Sequence, residues 1–599
     1  MRIEANEKNA LLRLAYSREG CYWALCEDYF TRNLYLIGAL GGERGNTTDL
    51  RFDLLCLEQG QPARYDYFGD EGALTLRTRT LWSEVLLGYG DEFRFRSTQG
   101  GGLRLTLRSM IEGRGAAGLR SVARLPDGVV EAAMGKYGVL RFHALRGTVE
   151  YRAVFDREKG AYACFELDFL PDAEGVCECA LRAQETTTGV CPGAPAFFQD
   201  FDTLREENRR SLAEFAAHYR AAPARWRALE EELIYTVWSE MMRPQGFVKT
   251  PLVMMHRNCL STALAWQQSY NAMAMLCDPA EGFRLIESMF RYQNPVSGAL
   301  PVDVSPGALN DTNTQPPLQG FALTFLVRQC GEDFITQEMA QRLLPRFERW
   351  VGFWTTWRSA GRGDDLVAIH NPNESGWDDA SIFVKGFPAI NADTQAMLIE
   401  CMYACAILAR RAGLPESEAQ WTDRAERLLH TLVTEFWDGE KFITKYKGEP
   451  VESMSLACYQ PILLGDRLPK EITRVIAQKL TEEGHFLSPI GLCTESMRSP
   501  MCHWGWHFTL GRVIGPANMF CAVGLTLAGE KEAARTIAER WCENVALRGP
   551  RLGFRPDTHY PLTGKPADTV PQPHIGDSWS WTSWSACATL TMLQTVFND

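Results

Sequence analysis

The sequence of 599 residues lacks the features that mark several large classes of protein. It has no run of about 18 or more apolar residues and no apolar segment behind its acidic N-terminus, so neither a membrane span nor a secretion signal is predicted. Its net charge of −12 argues against nucleic acid or an anionic membrane as partner, since either would require a basic patch. We therefore expect a cytoplasmic protein that binds neither nucleic acid nor membranes.

Patterns for disulfides and metals are also missing. None of the 18 cysteines lies in a Cys-x-x-Cys pair, and Cys401 and Cys405 lie on an apolar helix face, as small core residues do. His503 and His507 flank Trp504-Gly505-Trp506 without the Glu of a metalloprotease helix, which favours packing or substrate contact over metal binding. We expect reduced thiols, no metal and no cofactor.

What the sequence does have is a dense cluster of polar residues at 370–381, which reads His-Asn-Pro-Asn-Glu-Ser-Gly-Trp-Asp-Asp-Ala-Ser. Carboxylates beside an indole suit sugar cleavage, because an acid must protonate the glycosidic oxygen while a flat apolar ring faces the C–H side of the sugar. The 17 Trp and 18 Tyr suit a carbohydrate cleft or large helical cores equally well. The alternative for this stretch is a surface loop in which Asn and Asp cap the following helix.

Residues 1–200 show the period of two that is typical of β-strands, in short runs bounded by glycine turns. Many such runs without a helical period between them predict an antiparallel β-sandwich. The alternating apolar residues are Phe93 and Phe95, then Leu103, Leu105 and Leu107 after the turn at Gly100-Gly101-Gly102, and Phe165, Leu167 and Phe169.

The rest of the chain has a helical period. Residues 201–242 are charged and predict a helical linker, and residues 243–599 predict paired helices with room for about six pairs, an (α/α)6 barrel. The best-defined pair starts at Asp393 or Thr394 as cap, stops at Gly413 and Pro415, and continues into a second helix. Its apolar positions are Leu398, Met402, Cys405 and Leu408 in the first helix, and Trp421, Ala425, Leu428 and Leu432 in the second. The predicted fold class is α+β multidomain.

Loops at 293–298, 310–317 and 551–584 are also rich in polar, aromatic and proline residues. Loops at one end of a rigid scaffold are where sites are built, so we expect these three and 370–381 to converge. The alternative for each is a helix N-cap followed by proline.

Three of these loops carry motifs that resemble glycoside hydrolases of the clan containing trehalases (family 37) and processing or bacterial α-glucosidases (family 63). The motifs are Glu-Ser-Gly-Trp-Asp-Asp-Ala at 374–380, Gln-Pro-Pro at 315–317, and Asp-Thr-His-Tyr-Pro-Leu-Thr-Gly at 557–564 followed by Trp579-Ser580-Trp581. The resemblance covers the helical half, and a β-sandwich ahead of an (α/α)6 barrel is what bacterial members look like.

The resemblance implies that Asp378 is the general acid and Asp557 the general base. It also implies inversion, for which the two carboxyls should lie roughly 6.5 to 9.5 Å apart. Packing against Trp377, with Asp379 and Glu374 nearby, should raise the pKa of Asp378, and nearby cations should keep Asp557 ionised. The cations in reach of Asp557 are Arg512, Arg555, His559 and Lys565. The residues expected to contact the sugar are Trp266, Gln268, Gln315, Asn371, Glu374, Trp377, Arg512, Trp579 and Trp581.

The sequence departs from the family pattern at three places. Asp557 stands where the base is usually Glu, and Gln268 stands where the family has a carboxylate that grips sugar hydroxyls. The segment 509–514 replaces a Trp-Arg-Gly-Pro-x-Trp run, although Gly515-Pro516-Ala517-Asn518 continues in register. These departures concern the identity of the sugar more than the chemistry.

Three functions are compatible with the sequence. The first is an inverting exo-glycosidase, most simply an α-glucosidase acting on a short oligosaccharide. The second is a glycoside phosphorylase of similar architecture, against which Asp557 argues because phosphate would replace the activated water. The third is a catalytically silent sugar-binding protein, for which the carboxylate lost at Gln268 is the one positive sign. The oligomeric state is not indicated.

Overall fold

The computed structural model describes residues 3–4, 15–27, 31, 33–38, 50–108, 116, 118–135, 138–184, 197–257, 261–503, 508–551, 553–554 and 582–597. Its first part is a pair of antiparallel β-sheets. The strands are β1 Ile3–Glu4, β2 Ala15–Tyr16, β3 Trp23–Glu27, β4 Leu34–Gly38, β5 Arg51–Glu58, β6 Gln61–Ala63, β7 Asp66–Gly69, β8 Leu74–Arg77, β9 Trp82–Gly88, β10 Glu92–Ser97, β11 Gly101–Arg108, β12 Leu119–Arg124, β13 Val130–Met134, β14 Gly138–Arg146, β15 Thr148–Asp156, β16 Ala161–Leu170 and β17 Cys177–Gln184.

One sheet has the order β1-β7-β8-β9-β10-β17-β14-β13-β12, and the other has the order β15-β16-β11-β5-β4-β3-β2 with β6 paired to β5. Phe142 of the first sheet packs edge-on against Phe52 and Phe165 of the second, with ring centroids 5.7 and 6.0 Å apart. The two sheets therefore face each other across a shared aromatic core, and the predicted β-sandwich is confirmed. Every alternating apolar residue predicted to face this core is buried.

The outer face of the first sheet is not left to solvent, because the linker covers it. Helix α1, Phe201–Ala216, is preceded by Gln199, whose carbonyl accepts a hydrogen bond from Arg94 of β10. Arg96 of the same strand pairs with Asp202 of the helix at 2.9 Å. Arg94 is therefore buried although it lies on the polar side of its strand.

The second part is built from helices that alternate between an inner and an outer ring. They are α2 Arg227–Ser239, α3 Gln267–Ala274, α4 Pro279–Ser288, α5 Gln319–Cys330, α6 Gln337–Trp357, α7 Ala392–Ala412, α8 Pro415–Phe436, the 3₁₀ segment Leu456–Arg467, α9 Lys470–Thr481, α10 Gly515–Ala528, α11 Lys531–Arg548 and α12 Ser583–Thr595. Short strand pairs join them: β18 Met241–Met242, β19 Leu252–Val253, β20 Ala263–Leu264, β21 Asp303–Val304, β22 Leu309–Asn310, β23 Ala389–Ile390, β24 Thr444–Tyr446, β25 Glu449–Val451, β26 Leu487–Ser488 and β27 Gly491–Leu492.

Six of these elements form a closed inner ring. α3 packs on α5, α5 on α7, α7 on the 3₁₀ segment, the 3₁₀ segment on α10, α10 on α12, and α12 back on α3. The elements that alternate with them, α2, α4, α6, α8, α9 and α11, pack around the outside. This closed alternation of six inner and six outer elements is the predicted (α/α)6 barrel.

Burial follows the two rings. All residues of α3 and α12 are buried, as expected for helices surrounded by neighbours, whereas α8 buries one face that includes Trp421, Ala425 and Leu428. The face predicted for α8 is therefore confirmed. Helix α7 is long and apolar enough to pass a composition test for a membrane span, but 94% of that apolar stretch is buried inside the barrel.

The ends of α7 correct one detail of the prediction. The helix begins at Ala392 with Asn391 in the extended cap position, so Asp393 and Thr394 lie within its first turn and do not cap it. Gly413 ends the helix in the left-handed conformation (φ 79°), as predicted, and Pro415 is the first residue of α8.

A buried ion pair joins the two parts. Arg243, after α2, donates to both carboxylate oxygens of Asp91 in the turn between β9 and β10, at 2.8 and 2.6 Å. Asp91 also accepts from the backbone N–H of Tyr22, whose hydroxyl donates to the carbonyl of Arg243. This closed set of bonds fixes the sandwich against the start of the barrel, while the domain boundaries at 200 and 242 stay predictions.

The close contact between α5 and α7 gives a first test. A Cβ on Gly320 would lie 2.3 Å from the backbone of Cys401, whereas a Cβ on Gly352, inside the outer helix α6, meets nothing within 4 Å. We expect Gly320→Ala to lower the free energy of unfolding by about 1–3 kcal/mol through overpacking. Gly352→Ala, the matched control, should raise it by about 0.5–1 kcal/mol. Chemical denaturation of both variants measures this, and equal effects would contradict the close packing of the inner ring.

Candidate active site

The described parts of the loops predicted to form a site lie at one end of the barrel. Because outer and inner elements alternate as hairpins, the inner elements run in the same direction and begin at the same end. The connections that precede them are 263–266 before α3, 315–318 before α5, 370–391 before α7, 508–514 before α10 and Thr582 before α12. The expected convergence follows from this topology.

The loop that holds the proposed acid is closed at its base and pressed onto a neighbouring loop at its centre. Ile369 and Ala389 exchange two backbone hydrogen bonds, of 2.9 and 3.0 Å, at its base. Gly376 is in the left-handed conformation (φ 75°), and a Cβ on it would lie 2.4 Å from the Trp266 indole and 3.3 Å from Pro316. The motifs at 374–380 and 315–317 and the predicted sugar-contact residue Trp266 therefore meet at Gly376, where only glycine fits.

Glu374 is held by structural contacts. Its Oε1 accepts two hydrogen bonds from the guanidinium of Arg358, at 2.8 and 2.6 Å, and its Oε2 accepts one of 2.7 Å from the backbone of His370. Its side chain is 0% exposed. These contacts favour a role in shaping the loop, and the predicted sugar contact of Glu374 stays a prediction.

Asp379 is committed in a similar way. Its carboxylate accepts from the backbone N–H of Phe508 at 2.9 Å, and from the backbone N–H and the hydroxyl of Thr509, both at 2.6 Å. The backbone N–H of Asp379 in turn donates to the Thr509 hydroxyl at 3.1 Å. Asp379 therefore fastens the loop to the connection before α10.

Asp378 lies next to Asp379 in sequence but does not anchor the loop. Within the part of the chain that the structure describes, no group donates a hydrogen bond to its carboxyl. Its side chain reaches solvent, but the surrounding protein displaces water and raises the pKa to about 6, and the charge of Asp379 adds to the rise. A carboxyl of this kind keeps a proton in weakly acidic solution.

Indole rings line the same region. Trp377 is 4% exposed and lies against the buried carboxyl of Asp393, whose pKa burial raises to about 7. Trp266 packs on Trp584, the second residue of α12, with ring centroids 5.6 Å apart. The indole nitrogen of Trp584 is buried and has no partner among the described residues. Trp584 was not predicted, although it follows Trp581 by three residues, which is about one helical turn.

The polar residues predicted to contact sugar are occupied by the protein. The Gln268 side chain accepts from the backbone N–H of Val253 at 3.0 Å and donates to the carbonyls of Val253 and Leu264, and it is 1% exposed. Gln315 accepts from the backbone N–H of Trp266 at 3.3 Å. Arg512 is buried. These contacts favour structural roles for Gln268 and Gln315 and leave their sugar contacts untested.

The loop between Ile369 and Ala389, which holds the proposed acid, is called the acid loop below. Asn371 is half-buried at its start. Its side-chain oxygen is shielded from solvent and accepts no hydrogen bond from a described residue, and its predicted sugar contact stays a prediction. The other predicted site residues, Asp557, Trp579, Trp581 and His507, lie outside the described residues. The separation of Asp378 and Asp557 therefore stays a prediction.

The site-bearing region also matches a known family. Residues 263–582, more than half of the chain, match the family described as mannosylglycerate hydrolase MGH1-like glycoside hydrolase domain. The chain belongs to this family. It is a glycoside hydrolase, and the predicted membership of the clan with families 37 and 63 is confirmed.

Among solved structures, the chain is similar to the GH63 mannosylglycerate hydrolase of Thermus thermophilus in complex with glucose, with 18% identity, a TM-score of 0.49, and coverage of 61% of this chain and 99% of that one. The same enzyme in complex with Tris and D-glycerate is 17% identical, with the same TM-score and coverage. No curated protein matches the chain.

The contact at Gly376 can be tested apart from activity. Gly376→Ala should destabilise the hydrolase by about 1–2 kcal/mol for the left-handed backbone, plus about 1–3 kcal/mol for the clash with Trp266. Gly361 is the matched control, because it has the same backbone conformation (φ 78°) with nothing within 4 Å of its Cβ. Denaturation monitored by tryptophan fluorescence should show the larger loss for Gly376→Ala, and equal losses would contradict the contact.

Proposed function

We propose that the hydrolase is an inverting exo-glycosidase, most simply an α-glucosidase that cleaves a short oligosaccharide in the cytoplasm. Family membership supplies the reaction class, the hydrolysis of a glycosidic bond. The loops at one end of the barrel supply a carboxyl with a raised pKa beside indole rings, which is the equipment that such hydrolysis needs.

The observation that carries the assignment of the acid is the difference among three neighbouring carboxylates. Glu374 is bonded to Arg358, and Asp379 is bonded to the backbone at 508–509. Asp378 accepts no hydrogen bond from a described residue, and its pKa is raised to about 6, so it can hold a proton and present it to a ligand. We therefore assign the general acid to Asp378.

In the proposed mechanism Asp378 donates its proton to the glycosidic oxygen as the C–O bond to the leaving group breaks. Asp557 takes a proton from a water molecule on the opposite face, and the water oxygen bonds to the anomeric carbon. The product has the inverted configuration, the leaving group has gained the proton of Asp378, and Asp557 holds the proton of the water. Asp557 is proposed from its motif alone.

A second candidate substrate is an α-mannoside of a small hydroxy acid. The family description favours it, because the domain is named for mannosylglycerate hydrolase. An anionic leaving group would need a cation near Asp378, and Arg512, in the connection before α10, is the residue predicted to contact substrate there. Glucosides without a charged group require no such cation.

A substrate panel tests the proposed function. Purified enzyme is given α- and β-linked glucosides and mannosides, including mannosylglycerate, with and without phosphate, and the anomeric configuration of the first product is followed by NMR. We expect one α-glycoside to release a free sugar of inverted configuration at a rate independent of phosphate. A sugar phosphate as product would indicate a phosphorylase, and binding without turnover would indicate a sugar-binding protein.

Asp378→Asn tests the acid. The amide cannot donate the proton, so kcat on the natural glycoside should fall by about 10²–10⁴, while an aryl glycoside with a good leaving group should lose much less. An equal loss on both substrates would contradict the role.

Stability gives an independent readout of the same carboxyl. The pKa of Asp378 is higher in the folded protein, about 6, than in the unfolded chain, about 3.9, so ionisation destabilises the fold as the pH rises through this window. Asp378→Asn removes that effect. The variant should therefore be more stable than wild type at pH 8, and this advantage should shrink below about pH 4.

The pH profile tests the effect of Asp379 on the pKa of Asp378. Because Asp378 must be protonated, kcat/KM should fall as the pH rises through about 6. The charge of Asp379 raises this pKa, so Asp379→Asn should move the fall to lower pH. Steady-state rates on the activated aryl glycoside, which needs less protonation, should show a weaker fall. If Asp379→Asn leaves the profile unchanged, the fall in kcat/KM is caused by the titration of another group.

A further inference from the structure

A buried cluster of hydroxyls and one carboxylate lies behind the acid loop. It consists of Ser381, Ser453, Glu495 and Ser499, and we refer to it as the serine–glutamate cluster. The Ser381 hydroxyl donates to Glu495 Oε2 at 2.8 Å, and the Ser499 hydroxyl donates to Oε1 at 2.6 Å. Because the Ser381 hydroxyl already donates its hydrogen bond to Glu495, Ser453 is the donor in the 2.6 Å contact between Ser453 and Ser381.

The cluster joins three segments that are far apart in sequence. Glu495 lies in a short pairing between 454–456 and 494–496, closed by Leu456 N–H to the Thr494 carbonyl at 2.8 Å and Ser496 N–H to the Met454 carbonyl at 2.9 Å. This pairing leads directly into the inner 3₁₀ segment. The acid loop is thereby tied, through one hydroxyl, to the rigid inner ring.

Burying the carboxylate of Glu495 to accept hydrogen bonds from two hydroxyls has a cost in desolvation free energy. Both of its hydrogen-bond partners among the described residues are neutral, and although the charge of Lys441 lowers its pKa, burial outweighs this and raises the pKa of Glu495. An apolar residue of similar size would fill this space without the cost of desolvating a carboxylate. The arrangement is explained if the exact position of Ser381 matters for function.

Ser381 is three residues from the proposed acid, and the chain between them is a tight turn. Ala380 N–H donates to the Trp377 carbonyl, and Phe383 N–H donates to the Ala380 carbonyl at 3.1 Å. Before Asp378, Gly376 rests on the Trp266 indole, and directly after it Asp379 is bonded to Thr509. Asp378 therefore lies between anchors, and Ser381 is the next anchor after Asp379 in the chain.

From these contacts we propose that Glu495 is a positioning residue, which acts through Ser381 to hold the acid loop so that the Asp378 carboxyl meets the glycosidic oxygen. The inference rests on the proposed role of Asp378. A displacement of about 1 Å at a reacting group can lower the rate by as much as 10². The loss of a single hydrogen bond behind the loop should therefore have a measurable effect on the rate.

Ser381→Ala is the test, and Ser499→Ala is its matched control. Both variants remove one hydroxyl from the same buried carboxylate, but only Ser381 belongs to the acid loop. We expect Ser381→Ala to lower kcat on the natural glycoside by about tenfold, with the activated aryl glycoside within about twofold of wild type. Ser499→Ala should leave the ratio of the two rates unchanged. Glu495→Gln should show the selectivity of Ser381→Ala, and the double variant should lose less than the product of the single losses.

Hydrogen exchange of residues 371–388 gives a readout that needs no substrate. Ser381→Ala should speed exchange in this loop, and Ser499→Ala should not. Equal losses on both substrates, or the same selectivity in Ser499→Ala, would overturn the positioning role. If Asp378→Asn shows selectivity and Ser381→Ala does not, this inference fails alone; if Asp378→Asn shows none, the proposed function fails and this role fails with it.

Discussion

The structure depends on one constraint, that the six inner elements of the barrel are enclosed on all sides. Helices α3 and α12 have no exposed face, and α5 approaches α7 so closely that Gly320 has no room for a Cβ. Such elements can offer chemistry to a ligand only at their ends, because their sides are committed to packing. The polar loops before them therefore carry the site, and the ring decides which loops meet.

The same constraint explains how neighbouring carboxylates acquire different chemistry. A loop that must follow the rim of a rigid ring needs anchors, and Glu374 and Asp379 serve in this way through Arg358 and Thr509. Their lone pairs are used by the protein. Asp378 is left over from this anchoring, and burial, with the charge of Asp379, raises its pKa. Differences in hydrogen bonding, more than differences in residue type, separate the proposed acid from its neighbours.

Much of this was accessible from the sequence, because periodicity and motif spacing are local. The strand at Phe93 and Phe95 and the stop at Gly413 were predicted and found. What local patterns could not supply were contacts between distant segments. Trp584 next to Trp266 and Glu495 next to Ser381 depend on how distant parts of the ring come together, which no window of sequence contains. The segment of Asp557 lies outside the described residues, so its part of the site stays a prediction.

Gln268 shows how a departure from a family pattern can also have a reason inside the fold. A carboxylate replaced by an amide at a sugar-binding position suggests a weaker grip on hydroxyls. In the structure the amide accepts from the N–H of Val253 and donates to two carbonyls, a set of bonds that a carboxylate could not make because it has no hydrogen to donate. Glutamine therefore suits this position for reasons internal to the fold. The sugar contact of Gln268 stays a prediction, and these bonds favour a structural role beside it.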